Sequence, residues 1–358
     1  HTRSLCDWSS DVCSSDLHIP ALAVRRRCCS RRGIAAEGGC TALGAAADGA
    51  ERAGLPLWIV HNAAVISYRT ADAALQRAVN VEGTRAVVEA ARAVRPERFL
   101  QISSVAAVGT AGPEGLLDEA APWNLGDAGV PYCDTKYEAE QLVLGSDLPA
   151  LAVNPGSIFG PARQGSNTLR FLRKLRTGEL GRLAPPGRLG VVGVEDTARG
   201  ARLALERGRV GERYLLVESN WTHRALFREA VRVLTGEDTL RPVQVPAAAW
   251  RGLVLPAARL VDAVRPLRMA TPQALTLLGR HFAFDSGKAR RELGWDRLRS
   301  TWIESTWPGS GLPTSGGLAF RGRGHGHGVG LCQVGAGGLA ERGWSARQIL
   351  AHYYPTAT

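Results

Sequence analysis

The sequence predicts an α/β fold built on a doubly wound parallel sheet, and three observations carry that expectation. Short apolar runs end at small or turn-forming residues, helically spaced stretches separate them, and the chemically informative residues fall just past the ends of the runs. Strands alternating with helices favour a parallel sheet covered on both faces, whose ligands sit beyond the carboxyl ends of the strands.

The first run is Leu57 to Val60 in GLPLWIVHNAAVISY, which stops at the small residues Ala63 and Ala64 as a buried parallel strand would at a ligand edge. RTADAALQRAVNVEGTRAVVEAARAV, residues 70–95, has helical spacing and carries Asn80 near its middle. RFLQISSVAAVG reads as a second strand that breaks into Ser103 and Ser104. LPALAVNPGSIFGP is a third, ending in a Pro-Gly turn that places Pro155, Gly156, Ser157 and Ile158 at the same edge as His61 to Ala64 and Ser104.

Between the second and third strands lies PYCDTKYEAEQLV, where Tyr132 precedes Lys136 by four residues. A phenol ionises near pH 10, so it trades protons at neutral pH only where a neighbour stabilises the phenolate. The spacing puts an ammonium one helical turn away on the same face, which is what a proton donor and its electrostatic tuner require. With six tyrosines and three lysines in 358 residues, chance gives roughly 0.05 such pairs, so the motif is informative and its neighbours must carry the rest.

HNAA, NVEGT, ISSVAAVG, YCDTK and NPGSIFGP, in this order, together with VVGVEDTARGARLAL and the closing FDSGKARRELGW, resemble the extended short-chain dehydrogenases/reductases over residues 55–300. The nearest branches are the 3-beta-hydroxysteroid dehydrogenases, dihydroflavonol reductases and sugar epimerases/dehydratases. The resemblance implies a Rossmann-like domain over 55–305, with a small C-terminal substrate lobe drawn mainly from 160–190 and 220–300. It implies NAD or NADP as cofactor, Tyr132 as general acid/base, Lys136 holding the nicotinamide ribose and lowering the tyrosine pKa, and Ser104 bonding the substrate oxygen. Ser104 is preferred to Ser103 because four residues separate it from Gly109. Ala63, Ala64, Asn80, Ser103, Pro155, Gly156, Ser157 and Ile158 join Tyr132 and Lys136 in the implied cofactor-binding set, with Gly156 also readable as an ordinary tight turn. The implied reaction is hydride transfer at a secondary alcohol or ketone of a steroid-, flavonoid- or sugar-nucleotide-like substrate. The implied setting is a cytoplasmic enzyme of a family whose members are often homodimers. Asn167 and Arg170, in the stretch that would close over the substrate, could bond a sugar or a diphosphate but read as surface helix residues.

The family's opening strand, Gly-x-x-Gly-x-x-Gly turn and pyrophosphate-binding helix have no counterpart before HNAA, so the sheet is expected to lack its normal first βαβ unit. Gly38, Gly39 and Gly44 do not form the motif. Five of seven cysteines (Cys6, Cys13, Cys28, Cys29, Cys40) crowd the first forty residues without a Cys-x-x-Cys pair. Residues 1–17 resemble translated sequencing-adapter DNA, and 18–54, with RRRCCSRR, read as out of frame or disordered. At the other end, 306–319 reads as a Gly/Ser/Pro linker. Residues 320–358, with GHGHGVGLCQ and ILAHYYP, resemble the last segment of the stage II sporulation protein D/amidase-enhancer family, which acts on peptidoglycan. A chimera is the expected explanation. His325, His327 and Cys332 could ligate zinc but read as loop residues among glycines, and no metal site is expected. Two further readings therefore accompany the oxidoreductase: a silent remnant unable to hold dinucleotide, and a peptidoglycan-acting protein.

Composition sets wider limits. The net charge of +11 comes from scattered arginines, with lysine only at 136, 174 and 288 and no interleaved aromatic platform, so nucleic acid is rejected as a partner. The longest apolar stretch, VPAAAWRGLVLPAARLVDAV, is interrupted by Arg and Pro and reads as lobe helices rather than a membrane span.

Overall fold

The computed structural model describes residues 43, 47, 48, 50–52, 54, 56–160, 167–180, 182–264, 267 and 270–296. Residues 1–17, most of 18–54, and all of 306–319 and 320–358, including His325, His327 and Cys332, lie outside the described residues.

Strand β1 (Trp58–His61) leads through a 3-10 turn at Thr70–Asp72 and a first turn, Ala73–Gln76, into a π-helical turn, Arg77–Glu82, that runs directly into helix α1 (Gly83–Val94). Helical spacing at 70–95 thus predicts the segment, while the π turn at Asn80 is a departure from regular helix. The Thr84 hydroxyl donates to the Asn80 carbonyl at 2.6 Å, a back-bond of the kind that bends helices. Arg95, left-handed at φ 45°, and Pro96 end α1.

Strand β2 (Arg98–Ile102), helix α2 (Pro131–Leu144) and strand β3 (Ala150–Pro155) follow. Strand β4 (Ser157–Phe159), helix α3 (Asn167–Arg176), strand β5 (Leu183–Ala184), strand β6 (Arg188–Gly193) and helix α4 (Val194–Arg207) come next. Strands β7 (Arg213–Leu216) and β8 (Ser219–Thr222), helix α5 (His223–Thr235), strand β9 (Val243–Gln244), helices α6 (Leu255–Val264) and α7 (Pro272–Leu278), strand β10 (His281–Phe282) and a π-helical turn, Ala289–Leu293, follow.

The main sheet has the order β1-β2-β3-β7, all parallel, with Leu100 opposite Val60 and Leu151 and with Val153 opposite Tyr214. Side chains alternate between its two faces. Ile59, Phe99 and Ala150 pack with Val87, Val88 and Ala91 of α1 and Val143 of α2, joined by Leu43. Leu100, Ile102, Leu151, Val153 and Leu216 pack on the opposite side with Ala201, Leu203 and Leu205 of α4 and with Trp295. Helices therefore cover both faces, the Rossmann-like arrangement, and the apolar strands are buried accordingly. A second sheet, β10-β6-β4 with β8 antiparallel on β6, and the small β5-β9 pair lie beyond it in sequence. Among the described residues no helix is long and apolar enough to cross a membrane.

Candidate active site

Strand β2 ends at Ile102, and the chain then turns abruptly. Ser104, extended at φ −162°, ψ 155°, caps a 3-10 turn, Val105–Ala107, and its Oγ accepts the Ala106 N–H at 3.2 Å. Its carbonyl accepts the Ala107 N–H at 3.0 Å. The turn closes at Gly109, whose φ of 137° and whose approach to Asn124 Oδ1, 2.7 Å from a would-be Cβ, suit glycine alone.

Helix α2 starts with Pro131 at its first turn, where a missing N–H costs nothing. One turn apart on this helix, Tyr132 and Lys136 are both buried, at 7% and 4% exposure. Lys136 Nζ donates to the Ile102 carbonyl at 3.1 Å, pinning the helix to the end of β2. The Ser104 hydroxyl is hydrogen-bonded to the Tyr132 side chain. Ser104 Oγ accepts the Ala106 N–H with one lone pair, which leaves its proton and a second lone pair for the phenol and for a substrate oxygen.

The electrostatics of the phenol are governed first by burial. Burial pushes the Tyr132 phenol up to about 12, and the Ser104 hydrogen bond offsets this only in part. Desolvation wins because the ring sits among Tyr68, Leu117, Val130 and Phe284. The Tyr68 ring meets Tyr132 edge-on at 5.8 Å, and burial raises its own phenol as well. The Lys136 charge is instead felt by His61, at the end of β1, where burial first and that ammonium second hold the imidazole down at about 4. His61 is thus neutral at pH 7. Its Nε2 lies 2.9 Å from Thr84 Oγ1, which gives its own proton to Asn80, so Nε2–H is the donor.

Asn80 makes three hydrogen bonds within the protein. Its Oδ1 accepts the Val65 N–H at 2.7 Å, and its Nδ2 protons go to the Val65 carbonyl at 3.0 Å and to Thr135 Oγ1 at 3.1 Å. With both amide protons committed, Asn80 clamps the chain beyond β1 to α2 and has no donor left for a cofactor. Gly156 also turns out to be structural, because a Cβ there would lie 2.6 Å from the Gly190 carbonyl oxygen on β6. Its N–H donates to Leu216 at 3.1 Å. Pro155 is buried in β3, Ser157 and Ile158 belong to β4, and Ile158 packs against the sheet's apolar core. Ala63 and Ala64 stand just past β1, Ala63 exposed. Arg170 is half-buried on α3, and the side chain of Asn167 lies outside the described residues.

Three residues that the motifs did not single out complete the site. Glu140, fully buried one further turn along α2 from Lys136, meets Arg213 of β7 at 3.1 Å, and Asn154 of β3 donates to it at 2.5 Å. The spacing 132, 136, 140 is the sequence signal that could have found Glu140.

The donor set suits the nicotinamide-ribose end of a dinucleotide. A buried ammonium, two hydroxyls in contact, small side chains at Ala63 and Ala64, and the Ser103 hydroxyl, buried with no hydrogen-bond partner, share the carboxyl edge of β1 and β2.

Comparison with known proteins agrees with this geometry. The profile of the NAD dependent epimerase/dehydratase family matches residues 39–216. A 4-hydroxy-2-methyl-3-oxo-4-farnesyl-3,4-dihydroquinoline-1-oxide ketoreductase of Stigmatella aurantiaca is 32% identical over 253 residues, 66% of this chain and 72% of that protein. Sterol demethylase protein B of Methylococcus capsulatus is 30% identical over 257 residues, 70% of this chain and 75% of that protein. The crystal structure of gox2253 superimposes with a TM-score of 0.62 at 28% identity, covering 76% of this chain and 80% of that one. This chain, with its Rossmann-like sheet, belongs to the NAD-dependent epimerase/dehydratase family of enzymes.

Proposed function

We propose that this chain is an NAD(P)-dependent oxidoreductase that reduces a ring ketone, or oxidises the matching secondary alcohol, with Tyr132 as general acid/base. The observation that carries the reading is the Ser104–Tyr132 hydrogen bond at the sheet's carboxyl edge, with buried Lys136 one turn along. Bound nicotinamide would supply or accept the hydride, and Lys136 with the Ser103 hydroxyl would hold its ribose. Ser104 and Tyr132 would grip the substrate oxygen between two hydroxyls. As charge gathers on that oxygen, Tyr132 gives it a proton and Ser104 stabilises it by hydrogen bonding.

A phenol pushed up to about 12 keeps its proton across the neutral range, the form that protonates the substrate oxygen in reduction. The relatives named for ketoreduction and for sterol chemistry, together with the apolar surroundings of the Tyr132 ring, support a ring-bearing, largely apolar substrate over a sugar nucleotide. The second reading, a remnant that holds no dinucleotide, rests on the absence of the glycine motif in residues 1–57. Fluorescence titration with NADH and NADPH separates the two. Binding near micromolar strength supports the enzyme, and none at millimolar concentration supports the remnant.

A further inference from the structure

We propose that Asn154 is a positioning residue that aims the Ser104 hydroxyl at Tyr132, and that Glu140 and Arg213 hold it in place. The inference rests on the oxidoreductase reading and deepens it.

Asn154 is fully buried near the end of β3, beside the end of β2. Its Nδ2 donates one proton to the Ser104 carbonyl at 3.0 Å and the other to Glu140 Oε2 at 2.5 Å. Both partners are acceptors, so only the amide nitrogen can face them and the orientation is fixed. Glu140 Oε1 accepts Arg213 Nη1 at 3.1 Å. Arg213 also donates from Nε to the Glu119 carbonyl at 3.0 Å and from Nη2 to the Ala121 carbonyl at 3.2 Å. The chain of contacts therefore runs from a guanidinium on β7, through a carboxylate on the Tyr132 helix and an amide on β3, to the backbone of Ser104.

The consequence for Ser104 is geometric. Its carbonyl is held twice, by Asn154 and by the Ala107 N–H, and its Oγ lone pair is held by the Ala106 N–H. With the peptide fixed at one end and the hydroxyl oxygen at the other, the remaining freedom is the rotation of the hydroxyl proton. The energetic logic also favours a built device over incidental packing. A fully buried carboxylate is costly to desolvate and is retained only where charge and hydrogen bonds satisfy it. Here those bonds converge on one catalytic serine. Displacing a reacting group by about an ångström can cost on the order of a hundredfold in rate.

The test is a double-mutant cycle between Asn154→Ala and Ser104→Ala, reading NADPH- or NADH-dependent reduction of isatin, a cyclic ketone, together with amide exchange at Ala106. Asn154→Ala alone is expected to lower kcat about tenfold to a hundredfold with cofactor KM within about twofold. In the Ser104→Ala background it should lower kcat less than about twofold. Exchange at the Ala106 amide should quicken about tenfold or more while the amides of β2 hold their rates. Equal losses of kcat in both backgrounds, no loss in either, or unchanged Ala106 exchange overturn the proposal. If Asn154→Ala does not fold, Asn154→Ser enters the same cycle with the same outcomes. Tyr132→Phe keeps the two readings apart. Full activity in that variant sinks Tyr132 as the general acid/base of the proposed reaction, whereas its inactivity beside an additive Asn154/Ser104 cycle sinks this inference alone. Ala106 exchange decides the inference even if isatin is not turned over.

Discussion

The Ser104 hydroxyl shares a side-chain hydrogen bond with the Tyr132 phenol, while its Oγ accepts the N–H of Ala106 at 3.2 Å. The pair forms a preorganised two-hydroxyl grip on whatever oxygen takes its place between them. Replacing Ser104 with alanine removes one donor to the developing alkoxide. On the scale of lost oxyanion donors, kcat is expected to fall roughly a hundredfold or more while cofactor affinity stays within about twofold. Steady-state kinetics beside a cofactor titration check this, and a Ser104→Ala enzyme with wild-type kcat would remove the serine from the mechanism.

Acid stability follows from two buried imidazoles. His61 and His223 are both held at about 4 by burial, with Lys136 adding to the effect on His61. In the unfolded chain each binds its proton near the ordinary value of 6.5, so the folded state binds fewer protons between the two values. Their contribution is fully present above pH 6.5 and is lost as pH falls from 6.5 through 4, at up to about 1.4 kcal/mol per pH unit for each histidine. Urea unfolding at pH 7 and pH 5 should show the loss. His61→Gln, which keeps a donor for Thr84, should show a clearly shallower pH dependence, and parallel curves for the two proteins would contradict the assignment.

The buried Arg213–Glu140 pair makes an asymmetric prediction. Arg213→Met leaves a carboxylate at 0% exposure without its cation and should cost about 3–5 kcal/mol in denaturant unfolding. Replacing both charges, as Arg213→Met with Glu140→Leu, should recover much of that loss. A double variant no better than the single one would show that the pair itself, and not the stranded charge, supplies the stability.

At the crossing of β4 and β6, Gly156→Ala places a methyl group 2.6 Å from a backbone carbonyl that cannot rotate away. A destabilisation of about 1–3 kcal/mol is expected from such overpacking, read as a lowered Tm. An unchanged Tm would mean that the two strands separate freely.

Much of this was legible in the chain. The three core strands, the helix between them and the Tyr132/Lys136 register follow from apolar runs, period and spacing, and all appear at β1, β2, β3 and α2. What escaped was set by tertiary contacts. Asn80 looked available to a ligand until its amide protons were found on Val65 and Thr135, 15 and 55 residues away. Glu140 and Asn154 read as ordinary helix and strand residues because Arg213, which gives them meaning, enters 73 residues after Glu140. Desolvation of Tyr132 was equally hidden, since Phe284 and Tyr68 reach it from opposite ends of the domain's sequence.

Tyr132→Phe, assayed for nicotinamide binding and ketone reduction in the same preparation, tests the central claim most directly. The account predicts cofactor affinity within about twofold of wild type with turnover reduced by at least about a hundredfold, the lower end of what a positioned proton donor contributes. A phenylalanine variant that binds cofactor and reduces ketone at the wild-type rate would contradict it.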